Sequence, residues 1–267
     1  MMSPSCLVSL LLLFALSFAP ESVQADVLEM SNGAIVRGPT SKKKVALIFA
    51  GHHYAEGMQP LLAELARRNA KGSFFLTGDF LRNPHFKPLV VKAIREGHYV
   101  GPHSDKHLLC CREVDRRTLL SKSVFQADLR ANLHEIQKLV AEERKGQGSN
   151  YVAGTRFYLP AFEVHNEETT SWSRELHLQT INYTPGTFSH ADYTEDGRGF
   201  VSSQVILRSI LQMERRPGGL NGFFLLLHTG AGPRRTDKMH ARFGELLAEL
   251  AYRGYSFVRI DQLIDAN

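Results

Sequence analysis

The sequence predicts an α/β domain built on a parallel sheet. Three observations carry that expectation. A continuous apolar run at residues 45–50 leaves no polar alternation, which suits a strand buried on both faces, and Ser73-Phe74-Phe75-Leu76-Thr77 reads as the next strand. Between them, Leu61, Leu62, Leu65 and Ala66, and later Leu89, Val90, Ala93 and Ile94, fall at helical spacing, so the order is β-α-β-α-β with right-handed crossovers. Finally, His52, His53, Glu56, His103 and His107 all fall just past strand ends, where such sheets gather their chemistry.

Taken in order, the first strand ends at Gly51 and a turn through His52, His53, Tyr54, Ala55 and Glu56 reaches Gly57. Pro60 stands near the start of the first helix. The second strand is closed by Gly78, and the next helix is ended by Gly97. A short third strand at 98–100 leads into Gly101-Pro102-His103-Ser104-Asp105-Lys106-His107. Residues 115–143 predict a long helix with Val124, Leu129, Leu133, Ile136, Leu139 and Val140 as its apolar stripe. After a polar loop at 145–150, a strand at 155–159 runs into Pro160-Ala161-Phe162-Glu163. A helix at 166–176 carries Trp172, and a short strand follows at 180–183. The polar loop at 184–199 is long for a connector, which points to a substrate-facing loop. A helix bearing Val205, Ile206, Ile210 and Leu211 precedes a very apolar strand at 222–228 that ends in His228. A last helix at 238–252 and a strand at 256–260 complete the pattern.

The 267 residues, 43% of them hydrophobic, can bury one large core, and no repeat or linker divides them after residue 41. The expected division is a signal peptide at 1–25, a polar lead-in at 26–41 and one domain at 42–267. The formal charge of +5 is spread along the chain, with Lys42, Lys43 and Lys44 the only basic triple, so no nucleic-acid face is expected. The apolar run at 7–18 with small Ala25 behind it has the pattern of a secretory signal and is short for a membrane span of about 20 residues. The expected location is therefore periplasmic or secreted, with no stable membrane span after cleavage. Only Cys110 and Cys111 would remain, and adjacent cysteines make no disulfide framework.

Two imidazoles four apart on one helical turn share a face and can reach one metal ion. His103 and His107 have that spacing. Hydrolytic chemistry needs a third protein ligand and an open position as well.

The order of pieces resembles the polysaccharide deacetylases, carbohydrate esterases that share the nodulation-factor deacetylase domain. The likeness covers about residues 43–265. His103-Ser104-Asp105-Lys106-His107 fits the family's H-[ST]-x-x-H motif, and the run from Glu96 to His103 fits the segment before it. Gly72-Ser73-Phe74-Phe75 resembles the family's Ala-Thr-Phe-Phe strand, and Leu226-Leu227-His228 resembles its late L-x-H motif. Two motifs depart. The family's T-F-D-D-G is replaced by Ile48-Phe49-Ala50-Gly51-His52, without either aspartate. Its R-P-P-Y-G is replaced by Leu159-Pro160-Ala161-Phe162-Glu163, with leucine in the arginine position and Arg156 three residues earlier.

The resemblance implies a distorted (β/α) barrel as a single domain, an acetylated glycan or oligosaccharide as substrate, and one divalent metal ion: zinc, with nickel, cobalt or manganese as alternatives. It implies His103 and His107 as ligands, His228 as general acid, the Phe162 N–H at the oxyanion and Leu226 lining the acetyl pocket. His52 is the choice for third ligand, with His53 its rival. Glu56 and Glu163 are the candidate bases, and Asp192 is a candidate for orienting His228. His85, His134, His165, His177, His190 and His240 read as surface or core residues. The expected activity is exported, metal-dependent deacetylation of N- or O-acetylated carbohydrate. Two alternatives stand beside it: an inactive carbohydrate-binding relative, and a metal-dependent hydrolase of another C–N bond.

Overall fold

The computed structural model describes residues 27–146, 155–197 and 199–265. The signal-peptide reading at 1–25 lies outside them. The chain forms β1 (Glu29–Ser31), β2 (Ala34–Arg37), β3 (Lys44–Gly51), α1 (Met58–Arg67), β4 (Ser73–Leu76), α2 (Gly78–Arg82), α3 (Lys87–Arg95), β5 (Tyr99–Pro102) and α4 (Lys122–Gly146). Then come β6 (Phe157–Tyr158), α5 (Glu167–Arg174), β7 (Gln179–Thr180), α6 (Ser203–Glu214), β8 (Phe223–His228), α7 (Phe243–Tyr252), β9 (Ser256–Val258) and α8 (Ile260–Ile264).

Strands β8, β3, β4 and β5 pair in parallel, in that order. β2 joins the outer side of β8 antiparallel, and β9 pairs with the start of β3. Main-chain contacts close the curl. Leu159 N donates to Pro102 O at 3.2 Å, linking β5 to β6, and β6 pairs with β7. Asn182 N donates to Ile35 O at 2.9 Å, linking the end of β7 to β2. The result is the expected α/β fold, a distorted barrel.

The strands' two faces sort the core. Val45, Leu47 and Phe49 point outward with Phe74, Leu225 and Leu227, under helix residues such as Leu61, Leu65, Ile206 and Leu246. Ala46, Ile48 and Ala50 point inward with Phe75, Leu159, Ile181, Phe224 and Leu226 and fill the barrel. Each Phe or Leu buried this way contributes roughly 1.5–3 kcal/mol, which is why the strand runs carry no polar alternation.

Several boundaries differ from the sequence reading. The lead-in carries the β1–β2 hairpin, because Ala34, Ile35 and Val36 are buried and complete the barrel wall. The long helix starts at Lys122 rather than 115, where Ser121 Oγ accepts the Val124 N–H at 3.3 Å. Its stripe is shifted at that end, with Val124 47% exposed and Phe125 buried. Helix α2 went unread although Thr77, whose hydroxyl accepts Phe80 N–H, is a regular N-cap. Among the described residues no helix is long and apolar enough to cross a membrane.

Candidate active site

The carboxyl ends of β3, β5, β6 and β8 surround a cavity of about 350 Å³ lined by His52, His53, His103, His107, Glu163 and His228, among others. At the end of β3, Gly51 has no room for a side chain. A Cβ there would lie 2.7 Å from Leu76 Cδ2 and 2.8 Å from Thr229 Oγ1. Side-chain chemistry in the first loop therefore begins at His52, whose Nδ1 meets Thr77 Oγ1 at 3.2 Å.

The segment from His103 to His107 is a loop, not the helical turn that its spacing predicts. Helix α4 holds it. Asn132 Oδ1 accepts the His103 N–H at 2.8 Å, and the Asp128 carboxylate accepts Asp105 N–H and Lys106 N–H at 2.9 Å each. Asp128 and Asn132, four apart on one helix face, were not singled out from the sequence; that polar pair on an otherwise apolar stripe was the available signal. Ser104 (φ 72°) and His107 (φ 55°) are left-handed. The loop nevertheless brings the His103 and His107 rings to 5.0 Å.

The opposite wall is also strained. Phe162 (φ 59°) and Glu163 (φ 56°) are consecutive left-handed residues that carry side chains, a conformation costing about 1–2 kcal/mol each. Asn182 Nδ2 donates to Glu163 O at 2.6 Å and braces the turn. The Phe162 ring lies 4.3 Å from that of His107. His228 closes β8. Its Nδ1–H donates to Asp192 Oδ1 at 2.7 Å and its N–H to Asp192 Oδ2 at 2.9 Å. Tyr193, next to Asp192, covers the His228 ring at 4.7 Å. The long polar loop thus does face the cavity.

Burial sets the proton states. It pushes the His103 imidazole down to about 3, with the nearby His228 and His52 adding to the effect. Burial and the neighbouring histidines push His107 to about 2, and burial and His53 push His52 to about 4. All three are neutral near neutrality. Burial alone would lower His228 too, but the Asp192 charge and hydrogen bond, with Glu163 nearby, raise it above the usual value. Burial raises the Glu163 carboxyl against the opposing pull of His228.

Not every expected residue is here. Glu56 does not line the cavity: its carboxylate accepts Ala231 N–H and Gly232 N–H at 2.8 Å each and pairs with Lys238 Nζ at 2.9 Å. Those bonds hold it below the usual carboxylate range against its burial. Leu226 is fully buried one layer beneath, in the barrel interior. Arg156 pairs with Asp265 at the surface. Tyr54 and Tyr193 line the cavity without having been singled out.

The donor atoms suit a divalent ion. His103 Nδ1–H donates to Leu159 O at 2.9 Å, which leaves Nε2 for a ligand, the usual orientation of a metal-bound histidine. All three imidazoles are neutral, as ligands must be. Their rings are not yet convergent. His52 and His107 stack at 4.3 Å and 16°, and among the described residues no three His, Cys, Asp or Glu side chains form a group that could hold a metal ion.

The family model for polysaccharide deacetylases matches residues 37–155, from β2 through the histidine loop and α4. The chain is 24% identical over 234 residues to a peptidoglycan-N-acetylmuramic acid deacetylase of Bacillus subtilis, covering 86% of this chain and 75% of the relative. The solved structure of that family 4 carbohydrate esterase superposes with a TM-score of 0.67 at 21% identity, over 88% of this chain and 86% of the other. A family 4 pseudoenzyme from Bacillus anthracis superposes with a TM-score of 0.62 at 18% identity, over 88% and 70%. A mutant of it described as having restored enzymatic activity gives 0.66 at 18%, over 88% and 72%. Residues 37–155 thus match the polysaccharide deacetylase family model and the chain shares the fold of the family 4 carbohydrate esterases, in a variant form without the usual aspartate pair and arginine.

Proposed function

We propose that the chain is an exported, metal-dependent hydrolase that removes acetyl groups from N- or O-acetylated carbohydrate. The observation that carries this reading is the meeting of a carboxylate, Glu163, a carboxylate-held imidazole, His228, and three neutral imidazoles in one cavity. Four left-handed, side-chain-bearing residues, Ser104, His107, Phe162 and Glu163, add support. Strain of that kind persists where the surroundings enforce a geometry, and it clusters at functional sites.

His52, His103 and His107 would hold the ion, with His53 the alternative to His52. When bound, the ion, zinc or one of nickel, cobalt and manganese, would polarise the acetyl carbonyl and acidify a water. Glu163 accepts the proton of the attacking water; burial raises its affinity for that proton, which makes it a stronger base. This role falls to Glu163 rather than Glu56, whose oxygens are engaged by Lys238 and two amides. The Phe162 N–H donates to the developing oxyanion. His228, whose affinity for a proton Asp192 raises against its burial, gives its proton to the departing amine or alkoxide. Export rests on the apolar run at 7–18 and Ala25; an N-terminus near Asp26 in the mature protein's mass spectrum tests it, and an intact Met1 would contradict it.

The second reading is a carbohydrate-binding relative without turnover. It is favoured by the carboxylate-free Ala50-Gly51 at the end of β3 and by the stacked His52 and His107 rings. Acetate release from acetylated oligosaccharides, with divalent metals added, separates the two. Wild type should turn over and Glu163→Gln about 10²–10⁴-fold more slowly.

A further inference from the structure

Arg235 is the largest side chain buried completely in the described residues, with 0% exposure. Such a guanidinium ordinarily meets a carboxylate, since an unpaired buried charge is costly. Here every bond runs to a neutral oxygen. Nε donates to Asp237 O at 2.6 Å, Nη2 to Val201 O at 2.9 Å, and Nη1 to Thr194 O at 2.8 Å and Thr194 Oγ1 at 3.2 Å. The guanidinium carbon sits 4.9 Å over the Phe200 ring. The negative groups that act on it are Asp192, Asp196 and Asp237.

The bonds of Thr194 lead to the cavity. Its N–H and its hydroxyl both donate to Ala191 O, at 3.1 and 2.8 Å. Ala191 O belongs to the peptide that enters Asp192, and Asp192 grips His228 through both carboxylate oxygens. An unbroken series of short bonds thus joins Arg235 to Thr194, to the Ala191–Asp192 peptide and to the His228 ring. A planar fork can hold three acceptors at fixed angles, which an ammonium cannot.

We propose that Arg235 is a positioning residue for the proton donor: by holding Thr194 and Val201 it fixes the Ala191–Asp192 peptide so that Asp192 meets His228 Nδ1. Its catalytic consequence rests on the reading of His228 as general acid, but its geometric content does not. The rival is that Arg235 only stitches two loops together.

The test is the far-downfield proton resonance of an imidazole N–H donating to a carboxylate, recorded on ¹⁵N-histidine-labelled full-length protein. Asp192→Asn identifies the His228 signal by abolishing it. Arg235→Met should also abolish it while the methyl region stays folded, and should cut kcat for acetate release about 10–100-fold, the scale of an ångström's misplacement. Arg235→Lys keeps the charge without the fork and should leave the signal broadened or shifted. A folded Arg235→Met protein with the wild-type signal overturns the proposal. If Arg235→Met does not fold, an unchanged signal in Arg235→Lys overturns it instead. Because the resonance is read without substrate, an inactive wild type would sink the hydrolase reading and leave this test standing.

Discussion

Replacing Glu163 with glycine should make the protein more stable and inactive. Glu163 sits at φ 56°, and a side chain in that left-handed region costs about 1–2 kcal/mol. Glycine removes the strain but widens the unfolded ensemble, which returns about 0.4–1 kcal/mol. The net is a gain of up to about 1.6 kcal/mol, or a rise in Tm of up to about 6 °C for a domain of this size. Burial already disfavours the ionised carboxylate, so its removal acts in the same direction. Glu163→Gln is the control. It keeps the left-handed strain and loses the proton acceptor, so turnover should fall by about 10²–10⁴-fold without the backbone gain. Thermal unfolding and acetate release on the same preparations read both quantities. A Glu163→Gly protein that melts lower than wild type, or turns over as fast, would refute the view of Glu163 as a functional residue held under strain.

Other outcomes follow from the same geometry. His103→Ala and His107→Ala should each cut bound divalent metal sharply in elemental analysis, and a full complement in the double variant would move the ion elsewhere. His228→Ala should retain metal and lose about 10²–10⁴-fold in rate; metal lost along with activity would make it a ligand instead. The metal-free protein should lose stability in acid. His103 titrates near 3 when folded and near 6.5 when unfolded, so its contribution is fully present above about 6.5 and falls by about 1.4 kcal/mol per pH unit below it, or about 2 kcal/mol at a pH of about 5. Denaturant midpoints flat between about pH 7 and 5 would contradict that burial. Glu56→Gln should cost about 1 kcal/mol or less at this partly exposed ion pair and leave turnover within a few fold.

The barrel was largely legible because its evidence is local. The residues of β3, β4 and β8 are buried on both faces, and such strands announce themselves as unbroken apolar runs. β2 was not legible. Its four residues are too few for a periodicity, and their burial depends on β8 and on Ile181, far away in sequence. The site divides in the same manner. His52, His103, His107 and His228 stand directly at strand ends, and the cavity collects all of them. Glu56 and Glu163 could not be ranked from sequence, since each follows a turn whose direction the tertiary contacts decide. Lys238 and the amides of Ala231 and Gly232 engage the Glu56 carboxylate, and Asn182 braces the turn that carries Glu163. Asp192 was readable only as one acid in a polar loop; Arg235 and Thr194 bring it to His228.

The most direct test of the whole account is acetate release by the purified mature protein, run on acetylated glycans of several classes with and without zinc, nickel, cobalt or manganese, beside Glu163→Gln. The account predicts release that requires the ion, with Glu163→Gln still binding metal and releasing acetate about 10²–10⁴-fold more slowly. Wild-type protein that binds one ion per chain yet releases no acetate from any glycan would contradict it and leave carbohydrate binding as the function of this fold.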